Sequence, residues 1–300
     1  MKIAFSTLGT PQWSWEQLLE RGKAYGYSGV EIRLLEGETD LLARAEFQPE
    51  QLPVRRAELA AAEFQVCGLA SSVRFDDPDP AQREQQLEIG RAYIDLAAAL
   101  GAEFVRVFGD TLPPAEDKAG RATVITQVAA GITALADYGI EQKVQVLIET
   151  HGEFSDSHAM QAMMEQVECD NAGVLWDTHH PWRFYEEPLS ETFARLKPWV
   201  RHTHWKDSVV RPEAVSGAET DAAAQAAHAL MSGHRHADYV LFGGGGFPAL
   251  NAMQLLQWSA YDGWYSLEWE KAWHPEIEDP EIALPLFPDK IRLLASQCRS

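Results

Sequence analysis

The chain is poor in cysteine and in positive charge, and both shortages narrow its function. Its three cysteines, Cys67, Cys169 and Cys298, are odd in number, scattered, and show no C-x-x-C spacing. That excludes a disulfide framework and is expected of reduced thiols in a cytoplasmic protein, with Cys67 a small core residue. Only 25 Lys and Arg stand against 45 acidic residues, a formal net charge of -20. Nucleic-acid binding draws its affinity from clustered cations, so neither nucleic acid nor an anionic membrane is an expected partner. Long apolar runs are missing too. No stretch approaches a membrane span, and the opening MKIAFSTLGTPQWSW lacks the long apolar region and small-residue cleavage site of a signal peptide.

What the 300 residues do contain is 46% hydrophobic content, enough to bury one large core, and a regular alternation of two patterns. Short apolar or β-branched runs occur at 2–7, 29–33, 65–71, 104–109, 144–149, 172–177, 200–205 and 264–270. Between them lie segments of helical periodicity, such as WEQLLERGKAYG and RATVITQVAAGITALADYG, with Gly26, Gly101 and Gly139 placed as left-handed C-caps. Eight strands alternating with helices predict a single-domain (β/α)8 barrel of parallel strands. The wide gap before the last strand holds an insertion at about 208–243, a loop or short helix over the barrel mouth. GGGGFP (243–248) follows it. It has neither the G-K-[ST] ending of a phosphate loop nor dinucleotide-site spacing, so it reads as a flexible turn.

In such a barrel, residues at the C-terminal strand ends face the active-site mouth. Four successive strands end in polar side chains: Glu149 in VLIETH, Asp177 in VLWDTHH, His204 in HTHWKD and Glu268 in SLEWEK. Any one of these is more often a helix cap or solvated charge, but four on adjacent strands make coincidence a poor account. Hard oxygen donors with one imidazole suit a divalent ion, Mn2+ first, with Mg2+, Co2+ or Zn2+ as alternatives. His202 shares a strand face with His204, and Glu270 with Glu268. His204 is the better candidate because it lies nearer the strand end, leaving His202 to hydrogen-bond a neighbour.

The strings IETHGEFSD, LWDTHHPW, HTHWKD and GWYSLEWE, with the opening KIAFSTLG and the early GYSGVEIR, resemble the xylose-isomerase-like TIM-barrel superfamily over essentially the whole chain. That group includes ketose 3-epimerases, hydroxypyruvate isomerase, inosose dehydratase and endonuclease IV. The resemblance implies that Glu149, Asp177, His204 and Glu268 are metal ligands and that His180 lines the substrate site. It further implies that Glu149 and Glu268 exchange protons with the substrate.

The same chemistry follows from the residue types. A Lewis acid bridging a ketone oxygen and the adjacent hydroxyl acidifies the intervening C–H, and carboxylates on two faces could remove and return the proton. Glu31 and Arg106 lie inside strands, where charge must be paired, either with each other or at the metal site. Lys206 and Arg211 could hold a phosphate, carboxylate or hydroxyl, and His151 could orient a glutamate or cap the next helix. The expected function is a metal-dependent isomerase or epimerase of a small sugar or polyol. Dehydration of a keto-polyol, with His180 as acid, is the alternative; endonuclease IV-like hydrolysis and non-catalytic ligand binding rank lower. A homo-oligomer is compatible with all of these.

Overall fold

The computed structural model describes residues 1–210 and 237–298. Eight parallel strands close into a barrel in the order β1-β10-β7-β6-β5-β4-β3-β2. They are β1 (Lys2–Ser6), β2 (Gly29–Ile32), β3 (Gln65–Arg74), β4 (Phe104–Phe108), β5 (Gln145–Glu149), β6 (Ala172–Asp177), β7 (Val200–Trp205) and β10 (Trp264–Leu267). Two short strands, β8 (Asp207–Val209) and β9 (Asp238–Val240), form an antiparallel ribbon beside the mouth. The predicted insertion therefore has paired ends, while its middle, with Arg211, lies outside the described residues. The last barrel strand stops at Leu267 instead of running to 270, so Glu268 and Glu270 stand on the loop beyond it.

Helices α1 (Trp15–Ala24), α2 (Leu52–Ala62), α3 (Pro80–Leu100) and α4 (Lys118–Gln142) cover the first half of the barrel. α5 (Ser157–Met164), α6 (His180–Phe184), α7 (Leu189–Leu196), α8 (Ala249–Trp258), α9 (Pro280–Ala283) and α10 (Phe287–Gln297) follow on the second. Local signals start and stop them. Ser14 and Gln17 form a reciprocal capping box at α1, and Gly101, at φ 77°, closes α3 in the left-handed region. Gly139 does not cap α4 as expected. It lies inside the helix, where a Cβ would sit 2.3 Å from the Val144 carbonyl oxygen, and Lys143 at φ 59° supplies the left-handed cap.

One further expectation fails at α4. This helix alone among the described residues is long and apolar enough, by composition, to cross a bilayer. Its inner face, with Val128, Ile132, Leu135 and Ala136, packs into the core, and 39% of its most apolar stretch is buried. The main core is a cluster from Ile3 to Ala295 that fills the space between strands and helices, and two small clusters stand apart from it, Ala4 with Cys67 and Trp264, and Phe104 with Leu147 and Leu175. Trp13, Trp15, Trp176, Trp205 and Trp269 belong to the main core, and Trp182 packs against its edge. Cys67 is buried, and all three cysteines are free.

Candidate metal centre and active site

Because every barrel strand runs in the same direction, the ends of β5, β6, β7 and β10 deliver their polar side chains to one place. Ligand atoms of Glu149, Asp177, His204 and Glu268 all lie within 4.8 Å of one another, and all four residues are buried. His204 is the middle of the group. Its Nδ1 is 3.3 Å from Glu149 Oε1, 3.3 Å from Glu268 Oε1 and 4.0 Å from Asp177 Oδ2.

Each member is held from behind. Asp177 Oδ1 accepts the backbone N–H groups of His179 (2.8 Å) and His180 (2.9 Å) at the start of α6, which leaves Oδ2 to face the mouth. Glu149 is braced by Arg106, whose Nε lies 3.1 Å from Oε2 while its Nη1 donates to the Ser71 carbonyl (2.9 Å). Glu268 accepts a short hydrogen bond from Lys206. His204 donates from Nε2 to both oxygens of Glu31, at 3.0 and 2.8 Å.

Lys206 is the busiest cation. Its ammonium lies 2.8 Å from Asp177 Oδ2, 2.7 Å from Glu270 Oε1 and 3.0 Å from His180 Nε2. His180 gives its Nδ1–H to the Thr150 carbonyl (3.0 Å), so Nε2 carries the lone pair that meets Lys206. His151 stands at the N-cap position of the short 3-10 helix Gly152–Ser155, but its side chain makes no cap hydrogen bond there and pairs with no glutamate. Its Nδ1 pairs with Asp110 Oδ1 at 2.8 Å, and its ring lies 5.5 Å from that of His180. Glu31 and Arg106 do not pair with each other either: Glu31 turns to the histidines of β7 and Arg106 to Glu149.

The electrostatics follow from burial and crowding. Burial opposes charge on His204, but Glu268, Glu31 and Glu149 outweigh it and hold the imidazole well above its ordinary value. Burial pushes Asp177 up to about 6; Lys206 works against the rise and the neighbouring Glu268 and Glu149 add to it. Burial likewise opposes ionisation of Glu268, yet His204 and Lys206 prevail and keep it well below the ordinary carboxylate range. His180 is driven well below its usual value by burial and then by Lys206, and so is a neutral imidazole. Lys206 stays an ammonium: burial costs it charge, but Asp177, Glu268 and Glu270 restore more.

These donors fit a divalent ion. Two fully enclosed carboxylate oxygens, Glu149 Oε2 and Asp177 Oδ2, accept no hydrogen bond; Arg106 lies beside the first, and Lys206, His180 and His204 lie beside the second. Buried oxygens left in that state are costly unless something else takes them up. A cluster of hard oxygens with one imidazole and no thiolate selects a hard or borderline cation.

A family model described as a xylose isomerase-like TIM barrel matches residues 19–287. The chain belongs to that family. No curated protein matches the sequence. Solved structures of like fold include L-ribulose 3-epimerase, with a TM-score of 0.72 and 15% identity, covering 100% of this chain and 96% of that one. The probable 3-DHS dehydratase AsbF of Bacillus anthracis, involved in petrobactin synthesis, aligns at a TM-score of 0.70 and 15% identity over 98% of each chain. A xylose isomerase-like TIM barrel protein from Mycobacterium smegmatis, in complex with magnesium, aligns at 0.69 and 16%, covering 99% of this chain and 97% of that one. At such identities the likeness is one of fold.

Several residues of the site escaped sequence reasoning. Asp110 follows β4 by two positions, so the rule that polar residues at strand ends face the mouth could have found it. Thr150 carried no such signal, since its role depends on where His180 comes to rest, while Glu270, named above as the neighbour of Glu268 on its face, enters the site through Lys206.

Proposed function

We propose that the protein is a divalent-metal-dependent isomerase or epimerase of a small sugar or polyol. Glu149, Asp177, His204 and Glu268 would hold the ion, Mn2+ in first place. The observation that carries the reading is that Glu149 and Glu268 each come within 3.3 Å of His204 Nδ1 from the ends of strands on either side of β7 in the barrel order. A bound divalent ion supplies Lewis acidity toward a carbonyl and its neighbouring hydroxyl.

The chain's own residues divide the remaining work. Lys206 is held as a cation and His180 is a weakened base, so proton abstraction from carbon falls to the two glutamates. One glutamate removes the proton next to the carbonyl and the other, having taken a proton from solvent, delivers it to the opposite face, which inverts the carbon; the first then returns its proton to solvent. Delivery to the adjacent carbon gives aldose–ketose exchange instead. Arg106, His180, Lys206 and His151 surround this centre and would meet substrate hydroxyls, while Glu31 lies too deep, behind His204, to do so.

The test is incubation with Mn2+ in D2O against a panel of ketoses, hydroxypyruvate and inososes, followed by proton NMR. Loss of a C–H signal next to a carbonyl in at least one compound is expected; no exchange in any of them sinks the proposal. A second reading, dehydration of a keto-polyol, is favoured by one observation. Lys206 Nζ, a buried ammonium 3.0 Å from His180 Nε2, would stabilise a departing hydroxide; the acid role expected of His180 does not fall to it, because its one N–H is given to the Thr150 carbonyl. Product mass decides, because only dehydration loses water.

A further inference from the structure

Glu31 is the most deeply buried carboxylate that the proposed reaction does not use. It rises from β2, which in the barrel order is separated from β7 by β1 and β10, and reaches through the interior to His204. Both of its oxygens accept from His204 Nε2, at 3.0 and 2.8 Å. His202 stands one layer below, with Nε2 2.9 Å from Glu31 Oε2. All three side chains are fully enclosed.

The support continues downward. Glu31 pairs in register with Gly68, and a Cβ at that glycine would lie 2.2 Å from the Phe104 ring. The bare backbone lets Phe104 occupy the barrel floor, where its ring packs on His202 at 4.6 Å between centroids. His202 is thereby seated against Glu31, and Glu31 against His204. An enclosed carboxylate is a poor way to gain stability, since well-packed apolar groups usually serve as well or better.

We propose that Glu31 is a positioning residue that selects the nitrogen His204 presents to the metal centre. By accepting the hydrogen bond from Nε2–H it fixes the ring orientation and leaves Nδ1 as the lone pair aimed at Glu149, Asp177 and Glu268. Hydrogen bonds behind a ligating imidazole set its tautomer and basicity in this way, and their loss costs about 10- to 100-fold in metal affinity. The inference rests on the metal-binding reading above. It assigns Glu31 to the ion, through His204, and not to substrate.

Zn2+ is a suitable probe because it is diamagnetic. With 15N-histidine labelling, and His204 assigned by its loss in H204N, the Zn2+-loaded protein should show a proton on His204 Nε2 and a metal-shifted Nδ1. In calorimetry E31Q, whose amide can either accept or donate, should bind Zn2+ about 10- to 100-fold more weakly. E31D should recover part of the loss. A metal-bound Nε2 in the wild type, a measurement that needs no variant to fold, overturns the proposal. So does an E31Q protein that keeps the Nε2–H form and binds Zn2+ within twofold of wild type. Failure of the wild type to bind Zn2+ sinks the metal reading itself, an outcome distinct from those two.

Discussion

Loading the centre with a cation should release protons, and their number is set by the groups that must give way. In the metal-free protein His204 is held protonated well above its ordinary range, and Asp177 titrates at about 6. A metal ligand must be deprotonated, so affinity falls wherever the cation has to displace a proton. Above pH 6 the His204 proton competes, and acidification weakens binding by up to about tenfold per unit. From pH 6 to pH 5 protonation of Asp177 adds a further factor of about five, so that over that one unit the loss reaches about 50-fold, or about 2 kcal/mol. Calorimetric titration with Mn2+ at several pH values, in buffers of differing ionisation enthalpy, reads both affinity and proton release. A constant affinity between pH 5 and pH 8, or no proton release at pH 5, refutes the reasoning.

The same shifts set the stability of the metal-free fold. Asp177, raised from 3.8 to about 6, contributes stability that is complete below 3.8 and is lost as the pH climbs through 6. That change is worth about 3 kcal/mol for a fully enclosed group. His204 is raised too, and its contribution fades only at still higher pH, whereas Glu268, lowered from 4.5, loses its contribution as the pH falls. Saturating Mn2+ should therefore raise the melting temperature more at pH 8 than at pH 5.

Three further outcomes are expected. E149Q and E268Q should each lower solvent proton exchange by about 100- to 10,000-fold, measured by deuterium incorporation, with circular dichroism unchanged. K206M leaves Asp177, Glu268 and Glu270 without their shared cation; in EDTA it should cost about 3–5 kcal/mol in denaturant unfolding, part of which Mn2+ restores. D207A strips the acceptor from four backbone N–H groups, those of Ser208, Gly243, Gly245 and Phe247. It should destabilise by about 3 kcal/mol, and an unchanged denaturation midpoint would count against the clamp.

The barrel is legible in the sequence because each strand is a short apolar run bounded by helical periodicity, a signal that survives without knowledge of neighbours. Strand ends are less so. GWYSLEWE stays apolar past Leu267, and nothing local says that the backbone leaves the sheet before Glu268. Gly139 misleads for a related reason, since what it accommodates is a carbonyl five residues on. The gathering of Glu149, Asp177, His204 and Glu268 follows from parallel strand direction alone, which is why strand-end residues suffice to nominate it. The partners behind them do not follow. Whether Glu31 meets Arg106 or His204 depends on which side chains cross the barrel axis, and that is a property of the closed cylinder.

The glycine run 243–246 turns out to be neither a phosphate cradle nor slack. Amides of Gly243, Gly245 and Phe247 donate to the carboxylate of Asp207, the residue next to Lys206. Asp207 and Val240 are also paired in the ribbon that closes the insertion, as are Val209 and Asp238. Departure and return of the intervening segment are thus moored at a single post on the rim. Asp207 is one anchor for two pieces of the rim, and a change there reaches the ribbon and the glycine turn together.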